Sequence, residues 1–170
     1  MCISLNIKAS LGDVIKEYCT PNTLDGENLY RCGFCDRPSR AIKRDIFEKA
    51  SRVLVFHLNR FTFDGRKVNT MLEFPKAFNL RHFIQKNLAS DVPINRREDC
   101  IYDLLGVVMH KGLSTKKGHY TSYIKGFDDK WYLADDSRIT PVTINTVLSA
   151  RAYMLFYHKR INSENDKSGK

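Results

Sequence analysis

Apolar and polar positions alternate at the start of the chain. Ile3, Leu5 and Ile7 are separated by Ser4 and Asn6, the two-residue period of a half-buried strand. A strand at Met1 has two readings: a chain that continues upstream, or a terminal strand docked in a sheet. From Ser10 the period becomes helical, with Leu11, Val14, Ile15 and Tyr18 on one face. Ser10 is placed to cap the free amides, and Asp13 puts a negative charge in the first turn. Cys19, Thr20 and Pro21 predict the helix end, followed by loop to Gly26 with a turn at Asp25-Gly26.

Val53 to Leu58 is apolar on both faces and rich in β-branched and aromatic residues, which predicts a central strand buried on each side. It is expected to run through Phe61 and Phe63 into a two-residue hairpin turn at Asp64-Gly65 and return through Val68. Pro75 bars continuation as a central strand. Residues 86–99 are polar, with Pro93 and the charged run Arg96 to Asp99, and predict a surface loop. The last third is mostly β: Leu104–His110, Tyr120–Lys125, Lys130–Ala134 and Ala152–His158, with Gly126–Asp129 turning the second into the third. Thr143 is placed to cap a short helix bearing Ile144, Val147 and Leu148. Residues 161–170 hold almost no apolar side chain and are expected to be disordered. With no internal repeat or low-complexity linker, residues 1–160 form one unit.

Composition narrows the class. The 170 residues are 42% hydrophobic, 28% charged and 11% aromatic, which excludes global disorder, a collagen repeat and a coiled-coil rod. No run approaches the ~20 apolar residues of a spanning helix, so no membrane is expected as a partner. The net charge of +9 would favour acidic partners if it were concentrated. The densest stretch, Arg31 to Arg52, holds seven basic and three acidic residues, a moderate patch rather than a basic arm. Charge alone is therefore a weak argument for nucleic acid. Five irregular cysteines and no signal-peptide pattern predict a reducing, intracellular compartment, cytoplasm or nucleus.

Two constellations carry chemistry. Cys32-Gly-Phe-Cys35 can chelate Zn²⁺ through two thiolates from one tight knuckle, but tetrahedral zinc needs four ligands and the chain has no second such motif. A redox pair, or two reduced thiols, remain alternatives. Gly118-His119-Tyr120 stands at the mouth of a strand whose hairpin partner ends in Asp135-Asp136. With a turn near residue 127, His119 and Asp135 are equidistant from it, so the carboxylate can orient the imidazole as a general base. The alternative is a structural pair, as for His57 in its apolar strand. His110 is either packed or on the substrate side, and His82 and His158 have no evident partner. A nucleophile is missing: no Ser lies in a GxSxG elbow, and no Cys opens a helix after a Gly- or Asn-rich turn.

Tyr102 to His110, Gly118 to Tyr123, Trp131 to Asp136 and Ala152 to Tyr157 resemble, in order and spacing, the histidine box of the ubiquitin-specific proteases. Leu24 to Cys35 and Leu54 to Phe61 are similar to that family's second zinc knuckle and the strand after it. The resemblance spans about residues 3–160. It implies an α+β papain-like deubiquitinase fold of palm and fingers, a mostly antiparallel sheet with few short helices, and a missing thumb. It implies His119 as general base, Asp135 as its orienter and Asp136 as a supporting acid. Cys32 and Cys35 would be two of four ligands of a structural zinc. His110 and Tyr120 would bind substrate, Tyr120 lining the narrow passage for ubiquitin's Gly-Gly tail beside the loop 111–118.

The departures point the same way. The family's Gly-Asn-Thr-Cys nucleophile motif and first CxxC are absent, and Ala134 replaces an aromatic before the acidic pair. The expectation is the C-terminal part of a cysteine-type deubiquitinase domain, acting on ubiquitin and ubiquitinated proteins and inert by itself. A non-catalytic ubiquitin-binding remnant and a zinc-containing nucleic-acid-binding module are the alternatives.

Overall fold

The computed structural model describes residues 1–47, 50–83, 100–114 and 117–160. The expected loop 86–99 and the tail 161–170 lie outside the described residues, as does the side chain of His82.

The elements in order are β1 (Cys2–Asn6), α1 (Leu11–Cys19), β2 (Asn22–Leu24), β3 (Tyr30–Arg31), β4 (Pro38–Ser39), β5 (Ala41–Lys43), β6 (Val53–Asn59), β7 (Ala77–Asn79), β8 (Ile101–Lys111), β9 (His119–Lys125), β10 (Trp131–Asp135), β11 (Arg138–Val142), α2 (Ile144–Leu148) and β12 (Ala152–Lys159). One sheet runs β1-β6-β12-β8-β9-β10-β11, with β7 also paired to β8. Among the described strands of this sheet only the β1–β6 pairing is parallel. Two further two-stranded sheets among the described residues, β2–β5 and β3–β4, fall where the fingers are expected. The α+β, mostly antiparallel expectation holds.

Helix α1 forms as its sequence dictates. Ser10 Oγ accepts from the Asp13 amide at 3.1 Å, and Leu11, Val14 and Ile15 are buried against the sheet. Thr143 caps α2 in the same way, accepting from the Thr146 amide at 3.3 Å. The core gathers Leu54, Phe56 and Leu58 of β6 with Tyr102, Leu104 and Val107 of β8 and Leu155 and Tyr157 of β12. Phe78 meets Tyr157 edge-on at 4.9 Å and stacks on Tyr102 at 5.6 Å. The two buried phenols are satisfied: Tyr157 donates to the Pro75 carbonyl and Tyr102 to that of Ser51.

Several expectations need correction. Strand β6 is central but buried on one face only; on the other, Val53 is exposed and Val55 and His57 are half-buried. The strand stops at Asn59, and the following hairpin has a three-residue loop, Phe63-Asp64-Gly65. The Thr62 amide donates to Arg66 O, Gly65 N donates to Thr62 O, and Gly65 is left-handed at φ +81°. This is a turn closed by a bulge, not a two-residue turn. The hairpin between β9 and β10 repeats the pattern over Phe127-Asp128-Asp129, with Asp129 left-handed at φ +62°. Strand β2 replaces expected loop, and β7 and β11 had no predicted counterpart. Pro141 is accommodated in β11 because that strand is an edge.

Arg60 is buried, with no acidic partner among the described residues. Its guanidinium donates to the carbonyls of Ala152, Val68 and Thr70, at 2.5, 2.9 and 2.9 Å, while Nη2 has no partner. Burial, and then the charge of Arg151, pull its pKa below the ordinary value. This cation binds the returning arm of the 60–70 hairpin to β12. Replacing Arg60 by Met strands three carbonyls and is expected to destabilise the fold by about 3 kcal/mol, against about 1 kcal/mol for Ser10→Ala, read as midpoints of urea unfolding.

Candidate active site

His119 opens β9 and Asp135 closes β10. The register pairs Trp131 with Lys125 and Ala134 with Ser122, so the two strands pivot about residue 128 rather than 127. The three-residue loop is the reason. His119 and Asp135 are consequently not directly opposite but diagonal on one face, with Thr121 facing Asp135 one step beyond the last registered pair. Diagonal neighbours lie within reach of long side chains. His119 Nε2 contacts Asp135 Oδ1 at 2.5 Å.

A carboxylate only accepts, so Nε2 carries the proton and donates, leaving Nδ1 as the basic atom. Asp135 is held below the usual carboxylate range, chiefly by this hydrogen bond. The charges on His119, Lys111 and Arg138 add to it against partial burial. Asp136 sits at the tip of the two-residue loop joining β10 to β11, left-handed at φ +51°. His119, Asp135 and Asp136 each bring one ligand-type atom to within 4.8 Å of the others; no cysteine belongs to this group. The trio can hold, orient and move a proton, but has no nucleophile of its own.

His110 and Tyr120 are a registered pair of β8 and β9, with ring centroids 4.7 Å apart. Strand alternation puts them on the face opposite His119. There they join Phe61 and Tyr153 in an aromatic cluster in which Tyr120 is exposed and His110 buried. The structure therefore separates the expected site into a proton-handling pair and an aromatic wall. Sequence reading missed Lys67, Tyr153 and the buried Thr121, whose hydroxyl lacks a partner. Thr121 and Tyr153 lie inside the stretches that carry the family resemblance but were given no role there, whereas no motif marks Lys67, which only pairing distant in sequence brings to the site.

Cys32 and Cys35 lie in a tight turn in which the Asp36 amide donates to Cys32 O at 2.8 Å. Hydrogen bonds from the Cys35 and Phe34 amides, and then from the Cys35 thiol, pull the Cys32 thiol below its ordinary range. That favours a thiolate. Among the described residues no third His, Cys, Asp or Glu joins them, so they do not make a closed tetrahedral zinc site. His57 hydrogen-bonds to Ser4 and packs edge-on against Tyr153, and no helix among the described residues is long and apolar enough to cross a membrane.

The sequence profile described as ubiquitin carboxyl-terminal hydrolase matches residues 14–157. The human ubiquitin carboxyl-terminal hydrolase 42 is 34% identical over 170 residues, covering 98% of this chain and 12% of its own length. The human ubiquitin carboxyl-terminal hydrolase 17-like protein 15 is 32% identical over 91% of this chain and 27% of its own. Among solved structures, one of the SAGA Ubp8/Sgf11/Sus1/Sgf73 DUB module bound to ubiquitin aldehyde superposes with a TM-score of 0.73 at 29% identity. It covers 93% of this chain and 35% of the matched one. The chain thus spans about an eighth to a quarter of these two curated relatives and about a third of the matched structure.

His119→Ala is expected to return the Asp135 carboxyl towards the ordinary range, read by ¹³C NMR titration. A depressed folded pKa stabilises the fold above the unfolded value and loses that contribution as pH falls through the folded one. The variant's unfolding free energy should therefore fall less steeply on the acid side than the wild type's.

Proposed function

The chain belongs to the ubiquitin carboxyl-terminal hydrolase family, and from that premise we propose that it supplies the histidine-bearing part of a cysteine-type deubiquitinase. The observation that carries this reading is the His119–Asp135 contact with Nδ1 left free. The thiol comes from outside these 170 residues. Nδ1 takes the thiol proton, and the thiolate attacks the carbonyl of ubiquitin's terminal glycine. The imidazolium returns the proton to the leaving amine, and His119 then activates the water that releases the acyl group. Asp135 keeps the ring in one tautomer and stabilises its charged form. Asp136 supports the pair from the hairpin tip, while His110 and Tyr120 form an aromatic wall for the ubiquitin tail.

The partners on this reading are ubiquitin and ubiquitinated proteins, in the cytoplasm or nucleus, where five free cysteines stay reduced. Zinc would need two further ligands from elsewhere to complete Cys32 and Cys35. A zinc-containing nucleic-acid-binding module leaves the His119–Asp135 pair without a task. A non-catalytic ubiquitin-binding unit is the second reading, favoured by the lack of any cysteine in the described trio.

Ubiquitin carrying a C-terminal electrophile separates these readings. The chain alone should form no adduct. A chimaera with a family member's Gly-Asn-Thr-Cys segment joined ahead of Met1 should be labelled on the added cysteine, and His119→Ala should slow labelling roughly a hundredfold to ten-thousandfold. An adduct on any of the chain's own five cysteines overturns the proposed division of labour. Ubiquitin binding by a chimaera that stays unlabelled supports the second reading instead.

A further inference from the structure

We propose that Lys67 is a positioning residue for the His119–Asp135 pair, its ammonium fastening the end of β8 against which His119 is registered. Lys67 sits on the returning arm of the 60–70 hairpin and bridges to Phe61. Its ammonium faces three acceptors: His110 O at 2.7 Å, Gly112 O at 2.9 Å and His110 Nδ1 at 3.2 Å. An ammonium has three donors and no acceptor, so this geometry uses all of its N–H groups and fixes His110 as the Nε2–H tautomer. The two carbonyls flank Lys111, and Lys111 is the residue paired with His119. The clamp therefore acts on the strand end that sets where His119 stands.

Two further constraints pass the position on. A Cβ on Gly118 would lie 2.0 Å from His110 Nε2 and 2.7 Å from Lys111 O, so the backbone entering His119 rests directly on the clamped imidazole. At Gly112, φ +145°, a Cβ would fall 2.6 Å from Lys117 O, so only glycine permits the close approach of residues 112 and 117 at the neck of the connection. Lys67 is itself held in register from the core, because Arg60 binds the carbonyls of Val68 and Thr70 just beyond it. Burial and the neighbouring Lys67 charge also disfavour the imidazolium of His110, within a shell of Phe61, Tyr120 and Tyr153.

The inference rests on the deubiquitinase reading only for its catalytic meaning, so the clamp is tested first without turnover. In ¹⁵N-labelled chain, His110 should show an unprotonated Nδ1 and a protonated Nε2 at neutral pH; an Nδ1–H tautomer overturns the clamp. Lys67→Met should let His110 protonate at higher pH, because a facing cation is lost. It should also speed exchange of the Lys111 and His119 amides roughly tenfold, the effect of one charge-assisted hydrogen bond. Lys67→Arg should restore much of both. An unchanged His110 titration and unchanged exchange in a folded Lys67→Met overturn the inference. In the active chimaera, Lys67→Met should lower kcat by more than any change in KM, since KM reads His110 in the aromatic wall and kcat reads His119; altered amides with unchanged kcat refute the link to catalysis, not the clamp.

Discussion

The geometry of the site depends on the pairing of one long strand. β8 is held by β12 along one edge, and by β7 and then β9 along the other. Its first residues lie in the aromatic core with Phe78 and Tyr157, and its last two face Tyr120 and His119. A one-residue slip would turn every side chain to the other face. The buried Tyr102, Leu104 and Val107 forbid that slip, and so the placement of His119 is decided more than ten residues away.

Cations complete what the register begins. Arg60 and Lys67 are two positive charges that lean on backbone carbonyls rather than on acids, and burial is the first cause depressing the pKa of each. Together they bind the 60–70 hairpin first to β12 and then to the end of β8. Removing water's competition for these carbonyls strengthens each contact. The exposed His119–Asp135 contact is of another kind. It is screened by solvent, contributes little to stability and matters for the tautomer it selects.

Much of this was legible from local pattern. The caps of α1 and α2, the strands of the last third and the hairpin that brings His119 to Asp135 follow from period, turn residues and side-chain type. Counting a four-residue turn at Gly126–Asp129 misplaced the pivot by one residue, because Lys130 closes the loop and Asp129 takes the left-handed conformation a bulge requires. The short strands β2 and β7 carry three residues each, too few to show a period, and Pro141 breaks the strand pattern within the five-residue β11. Their pairing is imposed by partners distant in sequence or, for β11, by the tight turn at Asp136. Lys67 had no signal of its own, since its acceptors lie more than forty residues away.

The central proposal is that His119 presents a free Nδ1 to a thiol supplied from outside these 170 residues. Its most direct test is a crystal structure of the thiol-bearing chimaera trapped with ubiquitin, in which the separation of His119 Nδ1 from the reacted sulfur is measured. The account predicts about 3–4 Å, hydrogen-bond reach for a nitrogen and a sulfur, with Nε2 still on Asp135. A sulfur beyond the reach of His119, or one facing Nε2 with Asp135 displaced, would contradict it.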